Sequence, residues 1–291
     1  MMKVLLLLLC SCVVSQSAEP PKPRIEVHGH RGARARYPEN TLPAFQFAFE
    51  AGADFLELDL SVTRDGVLVV SHDPHINPDI CRDKDGNAFP KPGPLIHALS
   101  LAEVKEYDCG CVKNPRFETQ VAVPGTPMPT LAEVFDLVRR SQHPNAKRIG
   151  FNIETKIFPE HPEYTIGPEE FARKVIEAFK QSGFFDRIVL QSFDPRTLVG
   201  ARKIEPKVTI SLLIEDPKAD LMGLCRTIRA DIVSPDSDLV TPENVAAFHQ
   251  AGIRVLPWTV NDPKDWQKLI EMKVDGIITD DPAALLHFLK R

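Results

Sequence analysis

Eight short apolar runs constrain the fold more than any other feature of this chain. They span residues 25–30, 54–60, 149–155, 187–191, 208–213, 230–234, 253–258 and 276–279, and they are nearly continuous rather than alternating with polar residues. A strand that is apolar on both faces must be covered on both, which is the condition of a parallel sheet flanked by helices. The intervening segments carry the matching helix starts. A capping residue followed by proline occurs at Asp194-Pro195, Asp216-Pro217, Thr241-Pro242, Asp262-Pro263 and Asp281-Pro282. Thr130 with Glu133 and Ser100 with Glu103 have the spacing of capping boxes. Strand and helix signals alternate almost one for one. Together they predict an α/β protein, and eight strands favour closure into a (β/α)8 TIM barrel over an open doubly wound sheet.

One run breaks the alternation. Val67 to Ser71 follows the second strand after a turn too short for a parallel crossover, so it reads as a β-hairpin through Asp65-Gly66. Arg64 facing Val67 would set Val62 opposite Val69 and Leu60 opposite Ser71, bringing His72 level with Asp59. Residues 74–128 are rich in Pro, Gly, Asp and Lys, with one helix expected at Ser100 to Tyr107. They read as a loop-rich insertion on the catalytic face, placed to line the leaving-group side of the site.

The polar residues at the strand ends carry the chemistry. Glu57 and Asp59 lie two apart on one strand, so their side chains share a face. Glu154 ends the next parallel strand, two residues before Lys156. Three converging carboxylates repel one another and lose solvation, and a hard divalent cation with oxygen ligands, Mg2+ or Ca2+, resolves that conflict. Ion pairs with Lys156 or nearby arginines are the alternative. His30 ends the first strand and His72 ends the hairpin, and two imidazoles beside a metal suit a reaction that takes one proton and gives another. His28 shares a strand face with His30, lies deeper, and is expected to be a buried support. Arg31 can grip a phosphate bidentately, with Gly32 allowing a tight turn. Arg34 and Arg36 read as surface charges. Lys156 either holds a phosphate oxygen or balances Glu154, and Trp258 either walls an organic group or belongs to the core.

The net charge of −5 over 291 residues supplies no basic field for nucleic acid or an anionic membrane surface. Residues 1–18 read as a signal peptide, with Lys3 before the apolar run Val4 to Leu9, too short to span a bilayer; residues 19–24 form a linker and the barrel occupies 25–291. Export to the periplasm or medium is therefore expected. Two processing outcomes stay open: cleavage after Ser17, or lipoprotein processing that acylates Cys12. In an oxidising compartment Cys81 can pair with either Cys109 or Cys111.

Taken together, His30-Arg31-Gly32, Glu39-Asn40-Thr41, Glu57-Leu58-Asp59, Asp65-Gly66, His72-Asp73, Glu154 with Lys156, Trp258-Thr259-Val260-Asn261 and Asp275 to Asp280 resemble the glycerophosphodiester phosphodiesterase family, over about residues 25–288. The resemblance implies a (β/α)8 barrel that uses one magnesium or calcium ion to hydrolyse glycerophosphodiesters, such as glycerophosphocholine, to glycerol 3-phosphate and an alcohol. It further implies His30 and His72 as the acid/base pair, Glu57, Asp59 and Glu154 as metal ligands, and Arg31 and Lys156 as phosphate contacts. A related barrel phospholipase acting on intact phospholipid or sphingolipid is the competing enzyme reading, and a phosphoryl-binding module without activity is the non-enzymatic one.

Overall fold

The computed structural model describes residues 24–291; the leader with Cys10 and Cys12 lies outside the described residues. The barrel strands are β1 (Glu26–Gly29), β2 (Phe55–Val62), β4 (Gly150–Thr155), β5 (Ile188–Ser192), β6 (Thr209–Ile214), β7 (Ile232–Pro235), β8 (Arg254–Val255) and β9 (Gly276–Thr279), while β3 (Leu68–Val70) pairs antiparallel with β2. Helices α1 (Leu42–Ala51), α2 (Leu101–Val104), α3 (Leu131–Arg140), α4 (Pro168–Ser182), α5 (Pro195–Ile204), α6 (Leu221–Ile228), α7 (Pro242–Gln250), α8 (Pro263–Glu271) and α9 (Pro282–Phe288) fill the connections.

The parallel strands run in the order β8-β7-β6-β5-β4-β2-β1-β9. The two ends of that order meet: Asp275 N–H donates to Val255 O and Ile278 N–H to Pro257 O, each at 3.0 Å. The sheet is thus a nearly closed (β/α)8 barrel. The run expected over 253–258 keeps only two residues as regular strand, because Pro257 has no N–H to donate and the seam continues through its carbonyl.

Each wall follows from its sequence. In α3 the Thr130 hydroxyl accepts from Glu133 N–H while the Glu133 carboxylate accepts from Thr130 N–H, which satisfies two donors at the helix start. Leu131, Val134, Phe135 and Val138 recur at helical spacing, and all four are buried. Phe135 meets Phe151 of β4 edge-on at 5.0 Å. Asp194, Thr241, Asp262 and Asp281 cap their helices as their sequence signals foretell. Asp216-Pro217 does not; α6 begins later and is capped by Asp220, whose side chain accepts from Gly223 N–H.

Side chains of one parity fill the barrel interior, where Val189, Ile232, Leu256 and Ile278 pack with Phe55 and Trp258. Below them His28 is fully buried, stacked on Phe55 at 4.3 Å and facing Glu26, which Arg254 holds with two bonds of 2.9 Å. That is the buried supporting place expected of it.

The hairpin register differs by one from the sequence expectation. Leu60 faces Val70 and Val62 faces Leu68. Thr63 N–H donates to Val67 O and Gly66, at φ 79, turns the chain, so the loop holds three residues, Arg64 to Gly66, instead of two. The Thr63 hydroxyl also bonds the Asp65 carboxylate at 2.5 Å and favours this longer turn. In consequence Ser71, whose N–H donates to Asp59 O at 3.0 Å, lies level with Asp59, and His72 reaches one residue beyond.

Residues 74–128 lie between β3 and α3 and have a small core of their own, formed by Ile76, Cys81, Ile96, Val104, Cys109 and Met128 against Val69 of β3. The pairing left open by the sequence is Cys81 with Cys109, while among the described residues Cys111 and Cys225 have no disulfide partner. Across a separation of 28 residues this bridge removes much unfolded-chain entropy. Replacing both cysteines by serine is expected to lower the unfolding free energy by roughly 2–4 kcal/mol, read from denaturant titration of the oxidised protein.

Candidate active site

At the C-terminal ends of the strands, a cavity of about 560 Å³ is lined by His30, Arg31, Glu57, His72, Glu154, Lys156, Gln191, Phe193 and Trp258, among others. All eight side chains singled out by the sequence come to this mouth, Asp59 lying buried beside it. The β1 end is shaped by close approach. Gly32 has φ +85, and a Cβ there would lie 2.7 Å from Ala44 C; Arg31, at φ 51, also takes a left-handed backbone. The turn is pinned from both sides: Arg31 N–H donates to Glu57 Oε2 at 2.8 Å, and Asn40 N–H donates to Arg31 O at 3.0 Å.

Glu57, Asp59 and Glu154 each place a carboxylate oxygen within 4.8 Å of the other two, all three buried. β2 and β4 pair Asp59 with Glu154 in register, so the cluster is a direct result of sheet alignment. Burial and the facing Asp59 and Glu154 charges push Glu57 well above its usual range, and burial also raises Glu154 although Lys156 opposes it. Burial works the same way on Asp59, but His72, Arg31, Lys156 and the Asn40 hydrogen bond hold it far below the carboxylate range. Asp59 Oδ1 is buried without a hydrogen-bond partner. A buried oxygen without a hydrogen-bond partner, set beside two further buried carboxylates, is the donor set of a hard cation, and these residues fit one.

The cationic side chains are already engaged. Lys156 Nζ stands 2.7 Å from Glu154 Oε1 and 3.8 Å from Asp59 Oδ1. Arg31 bonds Glu39 at 2.5 Å and approaches Asp59 at 3.5 Å. Arg34 is not the surface charge its sequence suggested: it is 8% exposed and donates from Nε to Asp280 Oδ1 at 2.6 Å. Arg36 remains half-exposed, paired with Asp281. Trp258 is fixed by its indole N–H, which donates to Ser234 O at 2.8 Å, and Phe193 meets it edge-on at 5.5 Å. Of residues 74–128, Arg116 alone lines the cavity. The apolar residues of this segment are drawn to their own core against β3.

Four contributors were given no role from the sequence, although Asn40, Asn261 and Asp280 stand in its motifs. Asp280 Oδ1 bonds His30 Nδ1 at 2.7 Å, and Asn261 Nδ2 donates to Asp280 Oδ2 at 2.8 Å. Asn40 Nδ2 donates to Asp59 Oδ2 at 2.9 Å, and Gln191 Nε2 to Glu57 Oε1 at 2.7 Å. Their signal was position: Asp280 and Gln191 stand at the C-terminal ends of β9 and β5. Burial works against Asp280 ionising, but His30 and Arg34 hold it well below the carboxylate range.

The fold and site define a barrel with a buried carboxylate triad and two carboxylate-bound histidines at its catalytic mouth. The sequence model of the glycerophosphoryl diester phosphodiesterase family matches residues 30–284. A glycerophosphodiester phosphodiesterase of Caldanaerobacter subterraneus subsp. tengcongensis is 33% identical over 269 residues, covering 91% of this chain and 98% of its own. One from Bacillus subtilis is 30% identical, covering 92% and 87%. A crystal structure of a candidate glycerophosphoryl diester phosphodiesterase from Silicibacter pomeroyi superposes with a TM-score of 0.86 at 30% identity, covering 93% of this chain and 94% of that one. The chain belongs to the glycerophosphoryl diester phosphodiesterase family.

Burial, acting against the Asp280 hydrogen bond, lowers the His30 pKa to about 4. The unfolded chain takes up this proton near the ordinary histidine value and the folded one only near 4, so the neutral ring favours folding above about pH 6.5 and that contribution is lost as pH falls toward 4. In metal-depleted protein, His30→Gln is expected to flatten the loss of unfolding free energy between these limits by up to about 3 kcal/mol, measured by denaturant titration at each pH.

Proposed function

We propose that this protein hydrolyses glycerophosphodiesters to glycerol 3-phosphate and an alcohol, with His30 and His72 moving the protons. The observation that carries the reading is the pair of imidazoles facing one cavity with Glu57 and Glu154, each with its Nδ1 tied to a carboxylate. With Nδ1–H donated to Asp280 in one and to Asp73 in the other, the Nε2 atoms are left to exchange protons with substrate. One takes the proton of the attacking nucleophile and the other gives a proton to the departing alcohol oxygen, with water consumed overall.

Glu57, Asp59 and Glu154 would hold a divalent cation, magnesium or calcium, which when bound supplies Lewis-acid withdrawal of charge from the phosphoryl oxygens. Asn40 and Gln191 orient two of these carboxylates from behind. Lys156 and Arg31 contribute positive charge at the phosphate, and Trp258 forms an apolar wall for the organic part of the substrate.

His30→Ala and His72→Ala are each expected to lower turnover of glycerophosphocholine by roughly 10²–10⁴-fold with the fold retained by circular dichroism. Near wild-type turnover in either variant would refute the acid/base assignment. Chelation is expected to remove activity and added magnesium or calcium to restore it. The same assay with phosphatidylcholine and sphingomyelin separates this reading from a barrel phospholipase, which would release choline from the intact lipids.

Export belongs to the same proposal: residues 1–18 act as a secretory signal, and the linker, barrel and 74–128 insertion follow. No helix of the described residues is long and apolar enough to cross a membrane. Intact mass of the protein from its native host separates cleavage after Ser17 from acylation at Cys12.

A further inference from the structure

His30 and His72 are supported on one plan from unrelated parts of the chain. At His30, Nδ1 meets Asp280 Oδ1 at 2.7 Å, and Asn261 Nδ2 donates to the other oxygen, Oδ2, at 2.8 Å. At His72, Nδ1 meets Asp73 Oδ1 at 2.9 Å, and Asn77 Nδ2 donates to Asp73 Oδ2 at 2.7 Å. The same carboxylate-and-amide relay thus stands behind both imidazoles, although Asn261 follows β8 and Asn77 lies in the segment after β3.

The two settings differ in what else holds them. Asp280 is 3% exposed, and Arg34 grips it as well. His72 lies beyond the end of β3, with its side chain 36% exposed and that of Asp73 42% exposed. A carboxylate so open to water is free to rotate unless its second oxygen is fastened, and Asn77 is the side chain that fastens it. Asn77 itself has little freedom. Its carbonyl accepts from Ile80 N–H at 3.2 Å and Cys81 N–H at 2.9 Å, and its side-chain Oδ1 accepts from Asp79 N–H at 2.9 Å. With Oδ1 occupied, Nδ2 must point the other way, toward Asp73. The turn ends on Cys81, which is 2% exposed and bonded to Cys109 within the small core that rests on Val69 of β3.

We propose that Asn77 is a positioning residue of the reaction, holding Asp73 and through it the tautomer and orientation of His72, with the Cys81–Cys109 bridge fixing the turn that carries it. The proposal rests on the reading of His72 as a proton-transfer group. It gives residues 74–128 a part in turnover even though they contribute only Arg116 to the cavity wall.

Asn77→Asp is the informative variant, since its Oδ1 still accepts from Asp79 N–H while the donor to Asp73 is replaced by a repelling carboxylate. Expected is a fall in kcat for glycerophosphocholine of about tenfold or more with KM within about twofold, because misplacing a proton-transfer group affects chemistry more than binding. Asn77→Ala, which removes the donor without adding charge, should give a loss of the same kind. In an Asp73→Ala background Asn77→Asp should cost less than about twofold further, since its route to His72 is already cut. Independently of activity, 15N NMR of the His72 ring should show the Nδ1–H tautomer in the wild-type protein and a mixture of tautomers in Asn77→Asp. The proposal is overturned by an unchanged kcat, by the full loss recurring without Asp73, or by an unchanged His72 tautomer. If the wild-type protein does not hydrolyse the substrate, the proposed function falls, and the NMR result still decides whether Asn77 positions His72.

Discussion

Repulsion among three buried carboxylates organises the mouth of this barrel. Carboxylate oxygens of Glu57, Asp59 and Glu154 sit within 4.8 Å of one another, and the charged and amide groups bonded to them offset that crowding. Lys156 and Arg31 bring positive charge from the flanks, while Asn40 and Gln191 donate to the outer oxygens. The balance is incomplete, since Asp59 Oδ1 keeps no hydrogen-bond partner. A cation would complete it, and the barrel provides the rigidity to hold like charges at short range, because the register of β2 against β4 is set by a continuous ladder below them.

The histidines inherit their properties from this arrangement. His30 is nearly buried and tied to Asp280, so desolvation keeps its ring neutral at moderate pH while the hydrogen bond fixes the tautomer. His72 is more open and depends on a local relay through Asp73 and Asn77. The same chemical type is thus stabilised by depth on one side of the mouth and by a loop with its own small core on the other. Loops at the catalytic face can vary freely only where no such relay passes through them.

Much of this was legible in the residues. Period-two spacing put Glu57 and Asp59 on one face, and position at a strand end marked His30 and Glu154. What escaped was whatever depends on distant segments meeting. Arg34 looked like a surface charge because the carboxylate that draws it inward, Asp280, is 246 residues away, while Glu39, five residues on, meets it only at 3.8 Å. The hairpin was misjudged by one residue because the Thr63 hydroxyl, by bonding Asp65, favours a three-residue loop over the two-residue turn that Asp65-Gly66 usually signals. That the 74–128 segment has a core of its own, built against Val69, was not legible either, because its apolar residues are scattered and meet only in the folded chain.

The sequence by itself determined the alternation of strand and helix, most of the helix starts, and the residue types at the strand ends, because these follow from local capping and from the periodicity of apolar side chains. Tertiary structure alone decided that Cys81 pairs with Cys109 and that Asp280 meets His30 where β1 pairs with β9. Those contacts form only when closure of the barrel and packing of the 74–128 core bring separate segments together, and no periodicity within one segment encodes them.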